Sequence, residues 1–256
     1  MTIFSANLGF LWADRPLPDA IRAAKAAGFA AVECHWPYDT PAAEVRAALD
    51  ETGLPMLGLN TARGDVAGGE NGLSALPGRE ADACAAIDQA LDYAAAIDCG
   101  AVHVMAGFAK GPDAEAAFVA NLAYACARAG DRTILIEPLN RYDAPGYFLK
   151  TTTQAIRLIE TVGAPNLRLM FDCYHVQLME GDLTHKLTEL MDRIGHVQFA
   201  SVPDRAAPDR GEIAFAHIFA HLRQMGYDRP LGAEYKPGGD TDATLGWMSD
   251  PTLTGA

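Results

Sequence analysis

The chain alternates between two hydrophobic rhythms. Short, nearly continuous apolar runs (TIFSANL, FAAVECH, LPMLGLN, AVHVMAG, TILIEPLN, NLRLMFD, GHVQFAS and RPLGAEY) are separated by longer stretches with apolar residues three and four apart. Runs without polar alternation read as strands covered on both faces, as in a parallel sheet. The longer stretches read as helices: PLPDAIRAAKAAG, TPAAEVRAALDETG, READACAAIDQALDYAAAIDCG, DAEAAFVANLAYACARAG, TTTQAIRLIETVG, the segment from His175 to Met191, and GEIAFAHIFAHLRQMG. A short helical tail is expected around Leu245. Thr40 and Pro41 suit an N-cap and a first helical residue, and Gly28 and Gly163 suit helix ends. Eight strand–helix units predict an α/β fold, a single (β/α)8 barrel domain spanning residues 1–256. The alternative, an open doubly wound sheet, calls for a Gly-rich turn after the first strand, where this chain reads NLGF. The Gly-rich stretch 61–78 is the one long connection, and loops of that length are commonly functional or mobile.

Composition narrows the partners. The chain is 50% hydrophobic and 21% charged, which suits one large core. Twenty basic against 33 acidic residues give a net charge of −13 with no basic stripe, so nucleic acid and anionic membranes are poor partners. The same field disfavours anionic substrates unless the pocket is locally positive. Cysteines 34, 84, 99, 126 and 173 form no CxxC pair, and MTIFSANLGFLWADR has no basic residue ahead of its apolar stretch. A reduced, cytoplasmic protein without a signal peptide is the expectation. No apolar run approaches the ~20 residues that span a membrane. The hydrophobic content is compatible with a homo-oligomer.

Four strand-like runs end in side-chain oxygen: Glu137, Asp172, Gln198 and Glu234, spaced 35, 26 and 36 residues apart. In a barrel these ends converge on one pocket. Oxygen ligands without thiolate suit a divalent metal, Mg²⁺ or Mn²⁺ before Zn²⁺. The plainer alternative is that each acid caps the helix behind it or pairs with an arginine. Two glutamates facing one pocket can also move a proton between adjacent carbons of an α-hydroxycarbonyl, with a chelating metal stabilising the enediolate. His175, one turn beyond Asp172, is a candidate substrate contact or a helix-start histidine. Arg205 and Lys236, just past strands seven and eight, could pair with a substrate carboxylate, or be solvated loop charges. Arg63, in the long loop, has similar but weaker standing. His103 reads as core or support and His35 as pocket wall. His185, His196, His217 and His221 read as structural or surface residues.

Taken together, FSANLGF, AGFAAVE…PYD, GD…GGENG…LPGRE, HVMAG, IEPLNRYDAPGYFL, NLRLMFDCYHVQLMEGDL, IGHVQFAS and GAEYKPGGDT resemble the hydroxypyruvate isomerase family of xylose isomerase-like barrels. The match runs nearly end to end. It implies an intramolecular oxidoreductase acting on a small-molecule sugar acid, with hydroxypyruvate and 2-hydroxy-3-oxopropanoate as the leading pair. It implies Glu137 and Glu234 as the acid–base pair, Asp172 and Gln198 as companions in an oxygen-rich metal site, and His175 as a substrate contact. Relatives imply 2-oxo-tetronate isomerase or ketose 3-epimerase chemistry as alternatives. A phosphodiesterase on the same barrel would need a His-rich trinuclear zinc site and a basic surface. Two stretches depart from the family pattern: Ala62-Arg63-Gly64-Asp65-Val66 replaces a Pro-Pro-Gly-Asp-Trp-like turn, and Arg205-Ala206-Ala207-Pro208 replaces Arg-His-Glu-Pro. Both departures would fall near the pocket mouth.

Overall fold

A computed structural model describes residues 1–255. Its strands are β1 (Phe4–Asn7), β2 (Ala31–Glu33), β3 (Gly58–Asn60), β4 (Ala101–His103), β5 (Thr133–Ile136), β6 (Leu167–Asp172), β7 (Ile194–Phe199) and β8 (Leu231–Ala233). They form one parallel sheet in the order β2-β1-β8-β7-β6-β5-β4-β3. Its two ends meet. Val32 N–H donates to Pro55 O at 3.0 Å, Leu57 N–H to Val32 O at 2.8 Å, and Cys34 N–H to Gly58 O at 3.0 Å. The ring is thus closed as a (β/α)8 barrel and exposes no long strand edge.

The helices are α1 (Leu17–Ala26), α2 (Ala42–Thr52), α3 (Glu80–Ile97), α4 (Pro112–Ala129), α5 (Thr152–Val162), α6 (Cys173–Met179), α7 (Leu183–Leu190), α8 (Phe215–Gln224) and α9 (Pro251–Thr254). The sequence pattern places them well, with three corrections. The sixth helix is two helices. Gly181 and Asp182 are both left-handed (φ 69° and 54°), which an α-helix cannot continue through. Glu180 is held at the break by Thr152 N–H, Thr152 Oγ1 and Lys186 Nζ, at 2.7, 2.9 and 2.9 Å. Second, α2 starts one residue late: Pro41 is the N-cap, and the Thr40 carbonyl accepts the Tyr93 hydroxyl at 2.8 Å. Third, α8 starts at Phe215, so Gly211–Ile213 belongs to the preceding loop. Gly163 ends α5 in the left-handed conformation, as its position suggests.

The long connection 61–78 is tied down. Gly72 N–H donates to Arg63 O, and Ala75 N–H to Ala106 O, at 2.9 and 2.7 Å. At Gly72 (φ 114°) a side chain would lie 2.7 Å from Met105 O, so this backbone contact with the end of β4 requires glycine. The exposed tip is pinned by Glu70, which accepts from Asp65 N–H at 2.7 Å and from Arg79 at 2.6 Å. Among the described residues, no helix is long and apolar enough to cross a membrane.

Strand alternation sets which side chains enter the barrel. On β7, Gln198 points inward and Phe199 outward. Phe199 is fully buried, its ring centroid 5.0–5.8 Å from those of Phe4, Phe215, Phe219 and Trp247. This aromatic cluster locks β7 against β1, α8 and the C-terminal turn, and so fixes the direction of Gln198. We expect Phe199→Ala to cost about 3–5 kcal/mol in denaturant unfolding; a loss below about 1 kcal/mol would show that the cluster is not the anchor of this strand.

Candidate active site

The four predicted strand-end residues are all buried at one end of the barrel. Strands β1 to β4 end in polar side chains too: Asn7, Glu33, Asn60 and His103. Asp172 serves two purposes at once. Oδ1 caps α6 by accepting Tyr174 N–H at 2.8 Å, while Oδ2 is buried with no hydrogen-bond partner. Glu137 Oε1 and Gln198 Oε1 are likewise buried and unpartnered. Buried polar atoms are rarely left this way without a ligand or water. Glu234 differs, because both of its oxygens are engaged. Oε1 faces Asn7 Nδ2 and His35 Nε2, each at 2.9 Å, and Oε2 accepts from Arg205 at 2.6 Å.

Arg205 is the cation of this site. It is 9% exposed, its guanidinium 4.7 and 4.9 Å from the ring centroids of Phe10 and Tyr174. It also lies 3.7 Å from Asp172 Oδ2 and 3.6 Å from Asp143 Oδ2. Its backbone is left-handed (φ 51°), uncommon for a residue with a side chain. Lys236 N–H holds that backbone, donating to Arg205 O at 2.7 Å. The Lys236 side chain is itself exposed and makes no ion pair with the site carboxylates, so the structure brings Arg205 into the site and leaves Lys236 out. Arg63 stacks on Trp36, 3.8 Å from the ring centroid.

His175 can be assigned a role from its partners. Asn140 N–H, which can only donate, points at Nδ1 from 3.0 Å. Nδ1 is therefore the acceptor, and the proton of the neutral ring sits on Nε2. Burial, reinforced by Arg205, pushes His175 down to about 3, so the ring stays neutral. Nε2–H faces Glu137 Oε1 at 3.8 Å and Asp172 Oδ2 at 3.7 Å. It is a donor aimed into the pocket. His175, Glu137 and Asp172 each offer an atom within 4.8 Å of the others, but the histidine's atom carries a proton. The oxygens of Glu137, Asp172 and Gln198 are the better metal donors, and that set suits a hard divalent cation. His103 is buried as read, its Nδ1 3.3 Å from Asn60 Oδ1 and 3.7 Å from Glu137 Oε2, and burial pushes it down to about 3.

Electrostatics divide the carboxyls. Burial, then Glu234 and Asp172, drive Glu137 well above the usual carboxylate range. Burial and Glu234 push Asp172 up to about 8. Burial also acts on Glu234, but Arg205 and His35 outweigh it and hold this carboxyl well below its ordinary value. Two groups missed at the sequence level complete the arrangement. Asn7 braces Glu234, and Glu33 accepts from Ser5, His196 and Gln198. Burial opposes ionisation of Glu33, yet His196 and Ser5 hold it below the usual range. Both residues carry the signal used for the other four, an apolar run ending in polar oxygen. His196 is thus a structural partner inside the barrel, whereas His185, His217 and His221 lie outside on α7 and α8. A cavity of about 20 Å³, room for about one water, lies between Asn7, Glu33, His103 and Gln198. Larger grooves of about 330 Å³ beside Arg168 and about 300 Å³ beside Arg46 lie at the opposite end, whereas one of about 250 Å³ is lined by Gly9, His35 and Trp36 at the site end.

Arg205→Leu would leave Glu234 and Asp172 buried without their cation, at a cost of about 3–5 kcal/mol. In the variant the Glu234 carboxyl would rise above its unfolded value, so the penalty applies where it must ionise and shrinks where it can protonate. We expect a larger loss of unfolding free energy at about pH 8 than at about pH 5. A loss independent of pH would show that packing between Phe10 and Tyr174, not charge, is what Arg205 supplies.

Comparison with known proteins places the fold in a family. Residues 21–250 match the model of the xylose isomerase-like TIM barrel family. A 2-oxo-tetronate isomerase of Cupriavidus necator is 45% identical, covering 97% of this chain and 98% of its own. The hydroxypyruvate isomerase of Escherichia coli is 38% identical, covering 98% and 99%. A crystal structure from Brucella melitensis, named AP endonuclease, family 2, is 38% identical with a TM-score of 0.93, covering 97% and 98%. The chain belongs to the xylose isomerase-like TIM barrel family.

Proposed function

We propose that this protein is an aldose–ketose isomerase acting on a small sugar acid, with hydroxypyruvate and 2-hydroxy-3-oxopropanoate as the pair interconverted. The observation that carries the reading is the contrast between two buried carboxyls: Glu234 accepts from Arg205 at 2.6 Å and is pushed down, while Glu137 keeps an unpartnered Oε1 and is pushed up by burial. Groups pushed apart in this way suit an acid and a base acting in one turnover. Glu234 takes a proton from C3 of hydroxypyruvate while the C2 oxygen gains one, giving the C2–C3 enediol; Glu137 then gives a proton to C2 while the C3 hydroxyl loses its own, and proton exchange with solvent resets the two glutamates. The carbonyl moves from C2 to C3 with no net gain or loss of atoms. His175 Nε2–H donates to a substrate oxygen, and Arg205 Nε, buried and unpartnered, offers a second donor to an anionic group.

Glu137, Asp172 and Gln198, with Glu234 as a fourth candidate, would hold a divalent metal, Mg²⁺ or Mn²⁺. Bound there, the ion would polarise the carbonyl and hydroxyl oxygens of the substrate. The three unpartnered oxygens support it.

A 2-oxo-tetronate is the alternative substrate. Supporting it are the 45% identical relative of that name and the small residues at the mouth, Ala206 and Ala207, both buried where the family pattern has His-Glu. Epimerisation would use the same glutamates without moving the carbonyl. A phosphodiesterase reading fits less well: among the described residues, the cluster with metal-ligating geometry contains a single histidine, and the chain carries −13.

We expect Glu137→Gln and Glu234→Gln to melt cooperatively and each to lower turnover by about 10²- to 10⁴-fold. The assay is a screen of three- to six-carbon hydroxycarbonyl acids and ketoses in D₂O, with and without chelator. Deuterium at the new carbinol carbon with a shifted carbonyl identifies isomerisation. Deuterium with the carbonyl unmoved identifies epimerisation, and near-normal turnover in either variant rules the two-glutamate mechanism out.

A further inference from the structure

Gln198 poses a question that its position alone does not answer. An amide can present its oxygen or its N–H₂ to a pocket, and only the oxygen can ligate a cation. Something must choose. The structure points to Glu33, on β2, three places away in the ring. We propose that Glu33 is a positioning residue for Gln198: an acceptor-only carboxylate that takes the amide N–H₂ and so turns the amide oxygen to the pocket. This rests on the reading of Gln198 as a cation ligand.

The geometry has three parts. Gln198 Nε2 donates to Glu33 Oε2 at 2.6 Å, leaving Oε1 buried and unpartnered on the strand in register with Asp172. Glu33 is itself held from two other strands. Ser5 Oγ donates to Oε1 at 2.8 Å, and His196 Nε2 lies 3.1 and 3.2 Å from its two oxygens. The carboxylate is therefore fixed before the amide meets it, and it has no hydrogen to offer. The third part is a missing side chain. A Cβ on Gly232 of β8 would lie 2.4 Å from Glu33 Oε1, 2.8 Å from Gln198 Cγ and 2.8 Å from His196 Nε2. β8 runs between β1 and β7, and its glycine vacates the volume in which Glu33 reaches across to Gln198. A carboxylate placed only to fill the barrel would not need its acceptor aimed at the amide of a pocket residue.

The test is calorimetric titration of the full chain with Mn²⁺ alone, alongside thermal melting. Four proteins are compared: wild type, Gln198→Leu, Glu33→Gln, and the exchange Glu33→Gln/Gln198→Glu. With glutamine at 33 the two amides can pair in either sense, so Gln198 can turn its N–H₂ into the pocket. Glu33→Gln is expected to weaken Mn²⁺ binding by about 10- to 100-fold, approaching Gln198→Leu. The exchange restores the polarity, since the amide at 33 donates and the carboxylate at 198 has no N–H₂ to present. Its affinity is expected to return toward wild type. A folded Glu33→Gln with wild-type affinity, or an exchange variant no better than Gln198→Leu, overturns the proposal. Should Glu33→Gln fail to fold, the exchange variant decides by the same comparison. Wild type that takes up no Mn²⁺ removes the cation reading and this inference with it. Wild type that binds while Glu33→Gln binds equally removes the inference alone.

Discussion

Four carboxyl groups, Glu33, Glu137, Asp172 and Glu234, are buried at one end of a closed barrel, and one guanidinium, Arg205, stands among them. Charges this close in a medium of low polarity cannot all persist. The site's chemistry follows from how that conflict resolves. Arg205 secures Glu234 as a carboxylate, and the His196–Ser5–Gln198 cluster secures Glu33. Nothing of comparable strength reaches Glu137 or Asp172, and both rise in pKa. Carboxyls pushed in opposite directions within one pocket are thus a consequence of having too few cations for them.

The same constraint explains why Arg205 is built as it is. Its side chain must enter from a loop beyond β7, cross between Phe10 and Tyr174, and meet Glu234 just past β8. The left-handed backbone at position 205 aims it there, and the bond from Lys236 N–H ties that turn to the chain after β8. The uncommon backbone conformation costs about 1–3 kcal/mol, less than the about 3–5 kcal/mol lost when the carboxyls are left buried without their cation.

Much of this was legible in the sequence, and the gaps have physical causes. The barrel is readable because parallel strands covered on both faces are apolar throughout, and because eight such runs alternate with helices. Glu137, Asp172, Gln198 and Glu234 are readable because each ends a run at unit spacing. Glu33 follows the same rule, but its run continues through Cys34 to His35 in the sequence, and the eye settles on the histidine. Arg205 and Lys236 look alike as charges one loop past a strand; burial separates them, and burial is set by a backbone angle that no side-chain pattern announces. The proton on His175 Nε2 depends on Asn140 N–H, 35 residues away, which strand and helix patterns do not place. The broken sixth helix had its signal in Glu180-Gly181-Asp182, overridden by the apolar periodicity on either side.

Charge balance also joins the two proposals about function. A sugar acid brings a carboxylate into a chain of net charge −13, to a pocket whose one guanidinium is committed to Glu234 at 2.6 Å. Arg205 can offer its free Nε, but it cannot neutralise a second anion without releasing the first. Burial raises Glu137 and Asp172, so their ionisation is costly, and neither supplies a positive charge. A divalent cation held by Glu137, Asp172 and Gln198 would supply it at the place where the unpartnered oxygens lie. An anionic substrate and a bound divalent ion therefore stand together as readings of this site.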